Sequence, residues 1–288
     1  MWRKRNKFIS LMLLFVLLFS GCGAQSKSKE EHTVGVFAMG TYMTLTAYGE
    51  STEAVLTLSE DRIKELEAMW STTDVSSDIY KVNQSGGIRT EVSEETAEIL
   101  QFALDMAEQT NGSLNPTISP VVTAWGFVSR EYHIPSEDEL TDLLKNIDYK
   151  KVLLEEKFVT MPDGMQLDLG AVGKGYTGDR WLAESRMAAG GGSEYRTLLG
   201  KAVWVFWRAR TVLSSVSIIA KEGKLCDALS TAIYVMGIDE ATKYWKENGG
   251  FEMLLLTDEK HIYLTEGIKD DFILNENFSD TEIYVITR

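Results

Sequence analysis

A chain of 288 residues with 43 Asp and Glu against 29 Lys and Arg carries a formal charge of −14 at neutral pH, which argues against nucleic acid as a partner and against binding anionic lipid by charge alone. Its length and 44% apolar composition suffice for one large core or two linked lobes. With only two cysteines, Cys22 and Cys226, stability must come from such a core and not from a disulfide framework.

The chain opens with Arg3, Lys4, Arg5 and Lys7, followed by an apolar run from Phe8 to Phe19. This is the pattern of an export signal over residues 1–21, and the run is too short to span a bilayer comfortably. Phe19-Ser20-Gly21-Cys22 resembles the lipobox of bacterial lipoproteins, with Phe19 where leucine is usual. That resemblance implies cleavage before Cys22, lipidation of Cys22 and an extracytoplasmic domain anchored to the cell membrane, with no second thiol left for a disulfide. Residues 22–32 read as a flexible tether, and 33–288 as the folded domain. Loss of the four basic residues in the leader leaves 25 Lys and Arg against 43 acids, near −18.

Thr41 to Tyr48 alternates and predicts a strand ended by Gly49. Ser51 and Thr52 predict the start of a helix with Leu56, Ile63, Leu66 and Trp70 on one face. Ser93 starts a second helix through Ile99, Leu100, Ala103 and Met106, which Asn111-Gly112 ends. Ser136 with Glu139 forms a capping box for a third, ending near Lys145. Lys151–Leu154 and Phe158–Met161 predict a hairpin, and a further helix runs from about Tyr176 to Met187. Beyond it come a strand at Val216–Ala220, a helix at Asp227–Met236 closed by Gly237, and a helix at Glu240–Glu247. Phe251–Leu256, His261–Leu264 and Ile283–Thr287 read as closing strands. Strands and helices mix without a βαβ rhythm, so the predicted fold class is α+β.

Four segments carry candidate chemistry. Asp168-Leu-Gly-Ala-Val-Gly-Lys-Gly-Tyr-Thr-Gly-Asp179 packs two acids, a lysine and four glycines behind the strand-like run Met165–Leu167. Glycines admit close backbone approach and can offer amide hydrogens to phosphate at a helix start. Alone, the same stretch is equally a strand-to-helix turn with one salt bridge. Met39-Gly40-Thr41 sits at the mouth of the predicted first strand. Gly112 to Phe127, with two prolines and an aromatic pair around Gly126, suits a rigid wall against a flat ring, or a loop capped by core aromatics. In Cys226-Asp-Ala-Leu-Ser-Thr-Ala232, Asp227 and Thr231 lie one helical turn apart and point the same way, as oxygen ligands of a hard cation would, or as a helix cap and a solvated hydroxyl.

In this order, from about Val34 to the C-terminus, the four segments resemble the ApbE-like family of FAD:protein FMN transferases, many of them bacterial lipoproteins. The resemblance implies a T-fold-like α+β domain of mixed and antiparallel sheets with packed helices. It also implies Mg²⁺-dependent cleavage of FAD and covalent transfer of FMN to a Thr or Ser of an exported acceptor protein. Residue by residue, it implies that Met39, Ala124, Trp125, Gly126, Phe127, Asp168 and Lys174 contact FAD. The Ala171 carbonyl, Asp227, Ser230 and Thr231 would hold Mg²⁺, which makes Asp227 and Thr231 the catalytic positions.

The chain departs from the family between these motifs. A Ser-Gly-x-Tyr-Glu-Arg-Tyr segment and a His-Ile-x-Asp-Pro-x-Thr-Gly segment are absent, and no histidine occurs between His133 and His261. Residues 190–214, with Arg196, Lys201, Arg208 and Arg210 against the single acid Glu194, read as the scar of a deletion or frameshift, or as the shortened loop of a divergent subfamily, and the fold is expected to be truncated in its C-terminal half. Asn115 stands where many relatives have aspartate, and an aromatic common near Thr73 is missing. Two rival readings stay open: a catalytically impaired FAD-binding lipoprotein of the same family, and a solute-binding lipoprotein with two similar lobes around a hinge.

Overall fold

Alternation writes the first sheet. A computed structural model describes residues 31–48, 52–188, 194–198, 213–276 and 280–288, with residues 31–288 forming one compact unit. β1 (Glu31–Ala38) and β2 (Thr41–Tyr48) pair antiparallel in a hairpin that turns Val36, Ala38, Met43, Leu45 and Ala47 inward. Met39 and Gly40, at φ 51° and 68°, make the two-residue turn with positive φ at both positions, whose twist matches the strands. β1 was not predicted, and it takes in Glu31 and His32 from the end of the predicted tether. The predicted leader and Cys22 lie outside the described residues.

α1 (Thr52–Trp70) buries Val55, Leu56, Ile63, Leu66 and Trp70 at helical spacing, as predicted, and packs on the hairpin. The short α2 (Asp78–Asn83), capped by Ser77, was read as loop, because six residues give no periodicity to see. β3 (Thr90–Glu91) precedes α3 (Glu94–Gln109), whose Ser93 hydroxyl accepts from Thr96 N–H as the predicted cap. The brief α4 (Ser119–Ala124) is followed by α5 (Glu137–Leu144), where Ser136 accepts from Glu139 N–H at 3.2 Å. β4 (Leu153–Glu155) and β5 (Phe158–Thr160) form the predicted hairpin, joined by β3 in the order β3-β5-β4.

α6 (Gly170–Ala188) starts six residues earlier than predicted and absorbs most of the glycine-rich segment into helix. β6 (Glu194–Leu198) then pairs antiparallel with β2, giving the order β1-β2-β6. Residues 194–198 of the stretch that departs from the family thus form an edge strand, and residues 199–212 lie outside the described residues. β7 (Leu213–Ala220), α7 (Gly223–Asn248), β8 (Phe251–Thr257), β9 (Ile262–Thr265) and β10 (Ile283–Ile286) complete the chain. The last sheet runs β10-β9-β8-β7, antiparallel except for β9 and β10. Gly237, at φ 72° and ψ −175°, breaks α7 where the predicted helix end falls.

The larger core joins α1, α3, the approach to α6 and the β7–β9 sheet, and a smaller one lies under the hairpin. α6 serves both, since Val172 and Tyr176 belong to the first and Trp181 to the second. This central position is what makes its polar face a place where a site can be held rigidly.

Candidate functional site

Leu167 is fixed before the glycines begin. Its N–H donates to Asn83 Oδ1 at 2.7 Å and its carbonyl accepts from Asn83 Nδ2 at 3.0 Å, so the side chain that ends α2 pairs with it as another strand would. Asp168 N–H donates to the Pro116 carbonyl at 2.8 Å, which ties the proline loop to the same point. The Asp168 carboxylate accepts from Gly170 N–H at 2.6 Å and so caps α6. Val172 and Gly173 N–H both donate to the Leu169 carbonyl. These amides, expected to face phosphate, are already engaged.

Two of the glycines serve packing. A Cβ on Gly175 would overlap the Gly223 carbonyl oxygen, and one on Gly223 would fall 2.8 Å from the Gly175 oxygen. α6 and α7 thus cross backbone to backbone. The first amides of α7 are also spoken for, because Asp179 accepts from Gly223 N–H through Oδ1 at 2.6 Å and from Lys224 N–H through Oδ2 at 2.9 Å. Asp227 does not begin this helix, contrary to the sequence reading; it lies one turn inside, and the acid that ends the first motif caps the helix of the second.

That crossing joins Lys174 to Asp227. Lys174 Nζ stands 3.2 Å from Asp227 Oδ1 and donates to the Gly170 carbonyl at 2.8 Å, and the two side chains are 7% and 10% exposed. Asp227 Oδ2 accepts from Gly175 N–H at 3.0 Å. By helix geometry, this N–H also faces the Ala171 carbonyl, so the Asp227 carboxylate and the Ala171 carbonyl converge on one amide. Burial pushes the Asp227 carboxyl above the ordinary carboxylate range, against the opposing pull of the Lys174 charge and the Gly175 amide. Ser230 Oγ donates to the Asp227 carbonyl at 2.7 Å, which leaves its lone pairs free to accept or ligate. Thr231 follows one turn above Asp227 on the same helix.

Met39 reaches this crossing from the hairpin turn. A Cβ on Gly173 would lie 3.8 Å from Met39 Sδ, and Thr177 Oγ1 is also 3.8 Å from that sulfur. Glu67 Oε1 accepts from Met39 N–H at 2.6 Å and steadies a non-glycine residue at positive φ. Trp70 does not reach toward a ligand from its exposed loop neighbours: it is buried edge-on against Tyr176, with ring centroids 5.5 Å apart.

The remaining predicted residues form a second group. Trp125 and Phe127 stack at 6.5 Å and 18°, and Phe127 meets Tyr132 edge-on at 5.8 Å. Gly126, at φ 77°, has no room for a side chain because a Cβ would overlap the Glu131 carbonyl. Ala124 ends α4 just before this group. Asn115 accepts from both the N–H and the hydroxyl of Thr117, so a neutral amide fulfils the turn without the aspartate charge.

Among the described residues no group of three or more His, Cys, Asp and Glu could hold a metal. A cation at the crossing would depend on one carboxylate with carbonyl and hydroxyl oxygens, an all-oxygen set that fits a hard ion such as Mg²⁺. Asp227 already holds the cationic Lys174 ammonium on one oxygen.

A family model described as the ApbE family matches residues 39–194, from the hairpin turn through α6 into β6. The chain belongs to the ApbE family. A Treponema pallidum protein named FAD:protein FMN transferase is 21% identical over 341 aligned positions, covering 91% of this chain and 94% of the relative. That alignment is longer than the chain, so the ApbE relative has segments without a counterpart here. An Escherichia coli protein of the same name is 27% identical over 190 residues, and the chain spans only 52% of its length. Among solved structures, an ApbE protein from Thermotoga maritima superposes with a TM-score of 0.75 at 22% identity, covering 83% of this chain and 98% of that one. The apo flavinyl transferase ApbE from Pseudomonas stutzeri gives 0.75 at 16% identity, covering 85% and 99%. The ApbE-like α+β fold predicted from the motifs is therefore the fold observed.

Proposed function

We propose that this chain is a FAD:protein FMN transferase, tethered outside the cytoplasmic membrane through lipidated Cys22, that moves FMN from FAD to a Thr or Ser of an exported acceptor protein. The observation that carries the reading is the buried Lys174–Asp227 pair, which splices the two motif segments at one point of an ApbE-family domain. The names of the curated relatives supply the reaction class.

In this reading the acceptor hydroxyl oxygen forms a bond to the FMN phosphorus of FAD. The pyrophosphate P–O bond breaks, AMP leaves, and the hydroxyl proton is released. Asp227, the Ala171 carbonyl and the Ser230 and Thr231 hydroxyls would hold Mg²⁺. When bound, the ion neutralises charge developing on the phosphoryl oxygens and orients them for in-line displacement. Lys174 meets the anionic end of FAD and Asp168, as an acceptor, a hydrogen-donating part of it, while Met39 and the Ala124–Phe127 wall take its flat ring. The half-exposed Phe127, stacked with Trp125, offers an apolar face of suitable shape.

The test supplies the full chain with FAD, Mg²⁺ and an exported acceptor protein. The expected result is a gain of one FMN on the acceptor with release of one AMP. FAD retention without transfer would replace this reading by a second one, a flavin-binding lipoprotein without turnover. The absent Tyr-Glu-Arg-Tyr and His-Ile-x-Asp-Pro segments favour that alternative. Residues 31–288 form one compact unit, not the two similar lobes that a solute-binding lipoprotein would show.

A further inference from the structure

We propose that Asp179 is a positioning residue for Asp227: it pins the start of α7 to α6 so that the Asp227 carboxylate is held at the Gly175 amide. The inference rests on the reading of Asp227 as a metal ligand and adds a role that touches neither metal nor substrate.

Both carboxylate oxygens of Asp179 are used, one on Gly223 N–H and one on Lys224 N–H. A single-oxygen cap would let the helix pivot; two adjacent donors on one carboxylate fix its direction as well as its position. The clamp acts where the backbones touch, at Gly175 and Gly223, so little slack remains between the helices. Asp227 lies four residues beyond Gly223, about 6 Å along the axis. A tilt of the α7 start would therefore be felt directly at the 3.0 Å bond from Gly175 N–H to Asp227 and at the 3.2 Å contact with Lys174. Asp179 and Gly175 lie one turn apart on α6, so one helix supplies both the clamp and the amide that receives the clamped carboxylate.

The experiment compares the full chain with Asp179→Ala, Asp179→Asn and the core control Ile99→Val, a buried change in α3 away from the crossing. The first measurement is exchange of the Gly175 amide in metal-free protein, followed by NMR. The second is Mn²⁺ binding followed by electron paramagnetic resonance. In Asp179→Ala the Gly175 amide should exchange about tenfold faster, as a local opening released by loss of the clamp. Its Mn²⁺ dissociation constant should rise about tenfold, as for loss of an outer partner of a metal ligand. Asp179→Asn keeps one accepting oxygen and should fall between Asp179→Ala and the unmodified chain, while Ile99→Val should leave both readings unchanged. Unchanged Gly175 exchange in Asp179→Ala, or equal changes in Ile99→Val, would overturn the positioning role. If Asp179→Ala does not fold, Asp179→Asn against Ile99→Val decides by the same criteria. If the unmodified chain binds no Mn²⁺, the metal reading of Asp227 fails by itself, and the exchange measurement still decides the role of Asp179.

Discussion

The α6–α7 crossing and the loop from Trp125 to Tyr132 are assigned to the same ligand by family resemblance, yet they are held by opposite means. At the crossing, Lys174 and Asp227 are almost completely buried, backbones touch at Gly175 and Gly223, and each polar group described has a named partner. In the loop, Phe127 is 41% exposed and Tyr132 69%, and the rings mainly support one another. In the proposed reading, the charged residues of the site are thus built into the core. A surface for a flat ring needs only shape, and it can stand outside the core. Changes at the crossing should register in stability and function together, and changes in the loop in ligand affinity alone.

The strongest way to break this contrast is to cut the buried pair. Asp227→Asn keeps an acceptor for Gly175 N–H but leaves the Lys174 charge without its carboxylate, and should cost about 3 kcal/mol in chemical denaturation. Lys174→Met should cost a similar amount, since it leaves the Asp227 carboxylate buried without its cation. It should also weaken FAD binding in a fluorescence titration. The double variant should be more stable than the sum of the two losses implies, by about 1–3 kcal/mol of coupling. Strict additivity would show that the pair contributes nothing to the fold. Gly175→Ala comes next: it adds one methyl where the Gly223 oxygen already sits, and should destabilise by about 1–3 kcal/mol through overpacking. It should slow any turnover as well, because the amide that meets Asp227 must shift. A fully active, fully stable Gly175→Ala would contradict the close crossing.

How far the sequence reached follows the same division. The faces of α1, the Ser93 and Ser136 caps and the break at Gly237 depend on neighbours within a few residues, and all were legible. The start of α6 was not. Glycine is a poor helix former, so Gly170 to Gly175 reads as turn; tertiary contact reverses this, because only a glycine helix lets α7 approach. The Asp179 clamp spans 44 residues in the chain and leaves no local signal beyond an acid at the end of the motif. Asn83 is equally silent, since its partner Leu167 is 84 residues away. Glu67, which holds Met39, belongs to a helix face that reads simply as solvated. β1 went unpredicted although Val34, Val36 and Ala38 alternate, because the polar residues before them read as tether.

Loop variants should give the complementary result. Phe127→Ala removes a half-exposed ring and should change stability by no more than about 0.5 kcal/mol. Its FAD affinity should fall about tenfold, the worth of one stacking contact. Equal losses of stability and affinity would place this loop in the same class as the crossing.

The smallest effect should come from Tyr132, a residue that the motifs did not single out. It meets Phe127 edge-on at 5.8 Å with an interplanar angle of 67°, and so limits rotation of a ring otherwise open to solvent. Tyr132→Ala should leave the thermal midpoint unchanged and weaken FAD binding about twofold, near the lower end of what an aromatic pair contributes. Tyr132→Phe keeps the ring contact and should bind as the unmodified chain does. If Tyr132→Phe weakens binding as much as Tyr132→Ala, the hydroxyl and not the edge contact is what matters, and the loop would hold its ligand by a directed polar contact as the crossing does.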